Sequence, residues 1–412
     1  MSLIQSVCSR TVMLGVGFMC VIGTTSYLQG QESEEVDAVT ELVARLNLDS
    51  YKTTLKGLTQ FGDRRQGTDR NRAAVDWIEE QLESYGCVTE RLHYEFNPTP
   101  RRSSGSGGRS EPPGPVIESG EFRMGPGGSR QRGITRRTGV ANGPWLQPDE
   151  RLRELNSQPT EPGPREQVFC TKVGSTRPDE MYILGAHMDG HGWGEAANDN
   201  GSGTALIMEL ARVLNMPDVE TERTIRFALW NNEETGLNGA RAYVEQRAEL
   251  QGWENPAGSG QYPEPTWLAM IQHDMMMWDH GMPREDGTYN PEQRPEADIN
   301  IEFQSRAKYA DRAMRLGFFF RDANEKYATD YPAAVGNHMT NTDSTPFMDL
   351  VPSISLRENE RGMHTGAGWN PTWHQPIDVF DTFSDDDFRL GLNAAQTTLG
   401  AIGQLAGASF KR

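Results

Sequence analysis

Histidine and aspartate side chains are concentrated in one glycine-rich stretch, residues 185–203. His187, Asp189 and Asp199 fall within thirteen residues there. The apolar run 181–184 just before the stretch predicts a buried strand, and the apolar spacing of 204–214 predicts a helix. Ligands bind at the carboxyl ends of strands in open α/β sheets, and glycine lets backbone pack tightly around a small ion. The stretch therefore predicts a metal site at the end of a strand.

Similar side chains recur after other predicted strands. The candidate metal ligands are His187 and Asp199, the pair Glu233 and Glu234, Asp274, and His374. Each alone would more often be structural, and two adjacent glutamates are usually solvated. Their recurrence at one edge of a sheet favours a shared metal site. Imidazole and carboxylate ligands without thiolates are typical of zinc in a hydrolytic site, although manganese or cobalt could occupy the same set.

The rest of the pattern alternates between strands and helices. Further strands are predicted at 88–96, 167–173, 224–230, 267–274 and 353–356, and helices at 36–46, 69–84, 240–249, 301–316 and 386–405. This alternation predicts an α/β domain with a mostly parallel central sheet and helices on both faces.

Composition excludes some classes of partner. The chain has 412 residues, 36% of them hydrophobic and 24% charged, which is typical of a soluble globular protein. The formal net charge of −18 argues against nucleic acid, because binding a phosphate backbone requires concentrated lysine and arginine. Nothing in the composition indicates an oligomeric state.

The first thirty residues differ from everything after them. Arg10 precedes the apolar run 12–23, which is too short to cross a bilayer comfortably and is followed by small and then polar residues. This pattern predicts a signal peptide over residues 1–30, with a buried helix or an uncleaved anchor as alternatives. We therefore expect an exported protein, periplasmic or extracellular, without a stable membrane span after signal removal.

Residues 97–164 interrupt the predicted catalytic domain, 35–406. They hold glycine, serine and proline runs, and between 97 and 140 eight arginines outnumber three glutamates. Such a stretch buries too little apolar surface to order itself. The leading interpretation is a flexible insertion that supplies no catalytic residue, and a lid over the site is the alternative.

Two cysteines remain outside the predicted signal peptide. Cys87 and Cys170 have no metal-ligand spacing, and they lie on two predicted strands that follow one another once the insertion is set aside. If those strands pair antiparallel, a disulfide is geometrically possible. Two separately buried thiols are the alternative.

The chain resembles the co-catalytic di-zinc aminopeptidases, a family that includes bacterial leucyl aminopeptidases and the glutamate carboxypeptidase group. The matching segments are 187–189, 198–203, 232–236, 273–275, 342–347 and 373–378. The resemblance extends from about Phe61 to Leu405, apart from the insertion. It implies a zinc-dependent exopeptidase fold of the phosphorylase/hydrolase-like type, an aminopeptidase activity and a peptide substrate.

The resemblance also implies roles for individual residues. Asp199 would bridge two zinc ions. His187 and Asp274 would complete one site, and Glu234 and His374 would complete the other.

Two further residues would act beside the metals. Glu233 would be the general base that moves a proton from water to the leaving amine. Asp189 would orient the imidazole of His187.

Other functions stay open at this point. The same site could serve a carboxypeptidase or dipeptidase, a glutaminyl cyclase with one zinc, or an inactive exported binding domain. The run 275–278, Met-Met-Met-Trp, could line an apolar specificity pocket or belong to the core.

Overall fold

An eight-stranded sheet organises the part of the chain that the structure describes. The computed structural model describes residues 37–98, 143–278, 280, 286, 288, 297–328, 330–337, 342–358 and 370–411. The predicted signal peptide and positions 99–142 of the predicted insertion lie outside these residues. Among the helices of the described residues, none is long and apolar enough to cross a membrane.

The strands are numbered in chain order: β1 (Val88–Phe96), β2 (Gly163–Lys172), β3 (Arg177–His187), β4 (Val219–Thr221), β5 (Arg223–Trp230), β6 (Thr266–His273), β7 (Ile299–Phe303), β8 (Ala333–Gly336), β9 (Ser353–Glu358) and β10 (Ala408–Phe410). The large sheet has the order β1-β2-β5-β3-β6-β9-β7-β8, and β10 pairs with β4 in a separate two-stranded sheet. The central pairs β5-β3, β3-β6 and β6-β9 are parallel, whereas β1-β2, β2-β5 and β7-β9 are antiparallel. The predicted mostly parallel centre is confirmed.

Helices cover both faces of the sheet, as predicted. They are α1 (Ala38–Val43), α2 (Leu48–Thr59), α3 (Asp69–Ser84), α4 (Glu150–Leu155), α5 (Gly203–Leu214), α6 (Asn238–Arg247), α7 (Ala310–Tyr327) and α8 (Asp385–Leu405). Alternate residues of β3 belong to two separate apolar clusters. Tyr182 and Leu184 pack in the cluster of α5 and α8, and Met181 and Ile183 pack in the cluster of α6.

Helix ends follow local side-chain chemistry. The Oγ1 of Thr68 accepts a hydrogen bond from the backbone N–H of Asn71, so Thr68 caps the start of α3. Gly86, with φ of 78°, follows that helix in the left-handed conformation that commonly ends a helix. Ser384 and Asp387 form a reciprocal capping box at the start of α8.

The predicted helix at 301–316 is wrong in its first part. Residues 299–303 form β7, and the helix begins only at Ala310. Ile299 and Ile301 alternate with polar residues, which is the period of a strand, and β-branched side chains favour that conformation. Helix α2 and strands β4, β8 and β10 were not predicted, and β10 lies beyond the expected domain end at residue 406.

The disulfide prediction is confirmed. Strands β1 and β2 pair antiparallel, with Val88 opposite Thr171. Cys87 and Cys170 form a disulfide with a Cα–Cα distance of 5.7 Å. The bond joins the two strands on either side of the insertion and cross-links the edge of the sheet.

The end of the predicted insertion is part of the folded domain. Of residues 97–164, the structure describes 97–98 and 143–164. The latter contains a 3-10 turn at Pro144–Leu146, helix α4 and the start of β2. Gln147 and Asn156 are each 2% exposed. Residues 143–164 were predicted to belong to the flexible insertion, but they are folded. Buried polar contacts order this stretch although it has few apolar residues.

Candidate metal centre

Strand register brings the predicted ligands to one edge of the sheet. His187 ends β3 and lies opposite Trp230, the last residue of β5. Ala186 lies opposite His273, the last residue of β6, so that Asp274 follows at the same edge. The parallel arrangement thus places the ends of three strands, and the loops after them, side by side.

The first group of potential ligands consists of His187, Asp199 and Asp274, all buried. The Nε2 of His187 lies 3.4 Å from Oδ1 of Asp199 and 3.6 Å from Oδ1 of Asp274. The other ring nitrogen of His187 contacts the backbone carbonyl of Asp189 at 2.9 Å. That contact fixes the ring and points Nε2 at the two carboxylates.

The second group shares Asp199 with the first. It contains Asp199, Glu234 and His374, with one ligand atom from each within 4.8 Å of the others. The Nε2 of His374 lies 3.1 Å from Oδ2 of Asp199 and 2.9 Å from Oε2 of Glu234. The indole of Trp373 stacks on the His374 ring, with centroids 4.2 Å apart. Each oxygen of the Asp199 carboxylate thus faces a different histidine.

Asp189 contacts the His187 imidazole through its backbone and not through its carboxylate. Its carboxylate lies 3.9 Å from Nδ1 of His187, too far for a hydrogen bond, and the backbone carbonyl makes that contact instead. The carboxylate accepts the backbone N–H of Glu233 at 3.0 Å and faces that of Glu234 at 3.5 Å. Asp189 therefore holds the loop that presents both glutamates.

Charge at this edge is strongly unbalanced. Buried or nearly buried carboxylates belong to Asp189, Asp199, Glu233, Glu234, Asp274 and Asp343. The facing cationic groups are Arg357 and the two histidines. The Oε1 of Glu234 and the Nδ1 of His374 are buried without a hydrogen-bond partner among the described residues. Divalent cations fit this donor set, because they compensate carboxylates that burial would otherwise penalise.

The pKa values in the metal-free chain follow from burial and pairing. Burial alone would raise the pKa of Asp199, but His187 and His374 hold it well below its ordinary value. Burial is likewise outweighed at Asp274, where Arg357 and His187 lower the pKa to about 2. Burial, reinforced by neighbouring carboxylates, raises the pKa of Glu233 well above its ordinary value against the opposing effect of His187.

A buried arginine holds the loop between His187 and Asp199. The guanidinium of Arg64 donates to the backbone carbonyls of Met188, Glu195 and Ala196 at 2.7, 2.7 and 2.8 Å. Burial lowers the pKa of Arg64 to about 10, so the group stays charged at neutral pH. The loop is thereby fixed by a side chain more than a hundred residues away in sequence.

Asp378 holds the same loop at its other end. Its two carboxylate oxygens accept the backbone N–H groups of Asn198 and Asp199 at 2.7 and 3.0 Å. These bonds orient the Asp199 backbone between the two ligand groups.

Left-handed backbone conformations cluster around these loops. Ala196, Asn232, Met275 and His374 have φ values of 48°, 63°, 63° and 54°. Such conformations cost a non-glycine residue about 1 kcal/mol or more and persist only where surrounding contacts enforce them. The tight turns aim the neighbouring ionisable side chains into the shared space.

Three nearby residues were not predicted. The Nε2 of His191 contacts the backbone carbonyl of Glu234 at 3.2 Å, and its ring packs edge-on against His374. Arg357 pairs with Asp274 at 2.6 Å. Asp343 is fully buried, and its Oδ2 accepts from Gln272 at 3.2 Å. His191 lies in the glycine-rich stretch that indicated the site, and Asp343 lies in the matching segment 342–347, whereas only the folded register brings Arg357 to the site.

The apolar run 275–278 belongs to the core. Its four side chains are at most 3% exposed, and Met276, Met277 and Trp278 pack in the larger apolar cluster. The backbone N–H groups of Met276 and Met277 donate to Oδ1 of Asn198 at 3.0 Å. The run thus supports the loop of Asp199.

Comparison with known proteins decides the family. The model of the family described as Peptidase family M28 matches residues 168–396, which is more than half of the chain. The chain belongs to peptidase family M28. The match extends from β2 into α8 and includes both groups of potential ligands. The resemblance to metal-dependent aminopeptidases is therefore confirmed at the level of the family.

Individual relatives of this M28 chain match over short segments. It is 44% identical over 82 residues to the probable lipoprotein aminopeptidase LpqL of Mycobacterium tuberculosis, which is 20% of this chain and 16% of that protein. This relative, the leupeptin-inactivating enzyme 1 of Streptomyces exfoliatus and the aminopeptidase YwaD of Bacillus subtilis are each matched over less than a fifth of their own length.

Solved structures share the fold over most of the chain. An aminopeptidase from Aneurinibacillus sp. strain AM-1 has a TM-score of 0.57 and 18% identity, covering 90% of this chain and 96% of that one. A Porphyromonas gingivalis glutaminyl cyclase has a TM-score of 0.53 and 17% identity, covering 88% and 99%. At these identities the likeness concerns the fold, which peptidases and cyclases have in common.

Proposed function

We propose that this chain is a zinc-dependent exopeptidase and, among the exopeptidases, an aminopeptidase. Asp199 would be a ligand of both of its two metal ions. The supporting observation is that two groups of three donors, one fully buried and the other partly buried, share this one carboxylate, with one oxygen toward each histidine. His187 and Asp274 would complete one ion's ligands, and Glu234 and His374 the other's. Imidazole and carboxylate donors suit zinc, and manganese or cobalt could take the same positions.

Two adjacent ions held by these residues would polarise the scissile carbonyl and lower the pKa of water toward neutrality. Glu233 is the general base: it removes a proton from the attacking water and delivers it to the amine as the C–N bond breaks. The hydrogen bond from the Glu233 backbone N–H to the Asp189 carboxylate holds the Glu233 side chain beside the two ligand groups. The raised pKa of Glu233 in the metal-free chain is caused mainly by burial.

We also propose that the protein is exported. The predicted signal peptide at 1–30 supports this, and so does the Cys87–Cys170 disulfide, because disulfides persist mainly in oxidising compartments. Determination of the mature N-terminus from secreted protein tests the proposal. Protein retained inside the cell with both thiols reduced would contradict it.

Substrate panels distinguish the remaining activities on the same site. An aminopeptidase cleaves amino-acyl p-nitroanilides and ignores their N-acetylated forms, whereas a carboxypeptidase requires a free carboxyl end. A glutaminyl cyclase releases ammonia from N-terminal glutamine without hydrolysing a peptide bond. We expect cleavage of the free-amine reporters together with two zinc ions per chain. Ammonia release with a single ion would indicate the cyclase, and Glu233→Gln controls for contaminating peptidases.

A further inference from the structure

A glutamine from the end of the insertion ties together the two loops that carry Asp199 and His374. Gln147 follows the 3-10 turn Pro144–Leu146 and is 2% exposed. Its Nε2 donates to the backbone carbonyl of Trp193 at 2.7 Å and to that of Pro376 at 3.0 Å. Trp193 lies between His187 and Asp199, and Pro376 lies two residues after His374.

The orientation of this amide follows from its other contacts. The Oε1 of Gln147 accepts the backbone N–H of Asp149 at 3.0 Å, and its backbone carbonyl accepts from Arg153 at 3.1 Å. Because the oxygen side is occupied by an N–H donor, the NH2 group must face the two carbonyls. Asp149 caps α4, so the glutamine is attached to a folded helix.

The two tied loops meet backbone to backbone. A Cβ on Gly192 would lie 2.3 Å from the carbonyl carbon of His374, and one on Gly194 would lie 2.7 Å from the carbonyl oxygen of Asp378. This close approach leaves no room for a side chain between them. The backbone N–H of Glu195 donates to the carbonyl of Asp378, and the Glu195 carboxylate accepts from the backbone N–H of Phe380, so Glu195 holds the far part of the contact. Gln147 acts at the near part, beside His374.

Asn156 reinforces the same attachment. Its Nδ2 donates to the backbone carbonyl of Gly194 at 2.8 Å, and its Oδ1 accepts from the backbone N–H of Asp63 at 3.1 Å. The stretch 143–156 therefore contacts the loop of Asp199 at two adjacent carbonyls.

We propose that Gln147 is a positioning residue that fixes His374 relative to Asp199. Its two N–H donors set the separation of the loops. That separation matters for His374, because its Nε2 lies only 2.9 Å from Glu234 and 3.1 Å from Asp199. Without these donors, residues 370–378 become more mobile. His187 and Asp274 stay in place, because the ends of β3 and β6 position them. The consequence for metal binding rests on the proposed function, whereas the tie between the loops does not.

Hydrogen exchange of the metal-free protein tests the tie directly. Gln147→Met keeps the length of the side chain without donors, and Gln147→Glu places an acceptor against two carbonyls. We expect faster amide exchange in peptides covering 190–197 and 370–378 in both variants. Gln158→Met is the control, because Gln158 lies just after this stretch but forms hydrogen bonds with Asp69 and Arg70 on α3. Unchanged exchange in those two peptides, or the same increase in the control, would overturn the inference.

Zinc titration against a competing chelator tests the consequence. We expect wild-type protein to bind two equivalents, and the Gln147 variants to bind one normally and the other roughly 10–100-fold more weakly. Equal weakening of both equivalents, or none, would contradict the positioning of His374. Fewer than two ions on the wild type would instead contradict the proposed function, and the exchange experiment would still decide the role of Gln147.

Discussion

The two ends of the central strands are built in opposite ways. At the carboxyl ends of β3, β5 and β6, buried ionisable groups face one another across short distances. Toward the amino ends lie the Cys87–Cys170 disulfide, the half-buried Lys172 and the small sheet of β4 and β10. One end concentrates charge that needs compensation, and the other holds the fold together with a covalent bond and regular pairing.

This contrast indicates a division of labour. Arg64, Asp378 and Gln147 direct their hydrogen bonds to backbone atoms of the site loops, so they fix geometry at the carboxyl ends. The disulfide instead restricts the unfolded chain. Substitutions at the carboxyl ends should therefore change metal binding and turnover, and substitutions at the other end should change stability alone.

The largest effect is expected at Asp199, the residue common to both ligand groups. Asp199→Asn removes one charge from each group, so zinc affinity should fall by more than about 100-fold and hydrolysis should be lost. Metal analysis after dialysis checks this. Asp218→Asn is a control, because Asp218 pairs with Arg45 at the surface. An Asp199→Asn chain that kept two ions would contradict the shared-ligand assignment.

The adjacent glutamates should separate into two phenotypes. Glu233→Gln should keep both ions and lower turnover by roughly 10²–10⁴-fold, because it removes the proposed general base. Glu234→Gln should lower the zinc content instead, because it alters a proposed ligand. Paired kinetics and metal analysis of both variants check the assignment. Near-native turnover of Glu233→Gln would exclude it as the base.

At the opposite end, removal of the disulfide should affect stability only. The double variant Cys87→Ala, Cys170→Ala should lose about 2–4 kcal/mol of unfolding free energy, because its unfolded chain regains the freedom of a long loop. Denaturant unfolding measures the loss. The Michaelis constant and turnover on a small substrate should match wild type at a temperature where both proteins are folded. A fall in turnover would contradict the claim that this end of the sheet affects stability alone.

The smallest effect is expected at Lys172, whose pKa burial lowers to about 8 from the usual 10.5. Between these pH values the unfolded chain binds more protons than the folded one, so stability rises with pH in that window. Relative to Lys172→Met, metal-free wild type should gain about 1 kcal/mol or less from pH 7 to 10.5, because the side chain is half-buried and screened. Thermal unfolding of both chains across that range checks the sign. A relative loss of wild-type stability would contradict it.

Local sequence is sufficient to predict the strand ends. The apolar runs before His187 and Asp274 identify buried strands, and parallel strands place the residues after them at one edge. The alternation of Ile299 and Ile301 carries the same kind of signal, but the run is so short that its apolar residues also fit the helical pattern beyond it.

Long-range polar contacts cannot be predicted in this way. Gln147 and Pro376 are 229 residues apart, and Arg64 and Ala196 are 132 apart. A buried glutamine or arginine has no local periodicity, and its partners are backbone carbonyls that every residue carries. For the same reason, the sequence pattern assigns residues 143–156 to a flexible insertion although they contact the site loops. The composition of that stretch indicates disorder, whereas its few buried amides order it.

The central claim, that Asp199 joins two metal ions, is tested most directly by anomalous scattering at the zinc edge from crystals of the zinc-loaded protein. The account predicts two peaks about 3.5–4 Å apart, one on each side of the Asp199 carboxylate. His187 and Asp274 should contact one peak, and Glu234 and His374 the other. A single peak that leaves His187 and Asp274 without metal would contradict the account and favour the one-zinc cyclase.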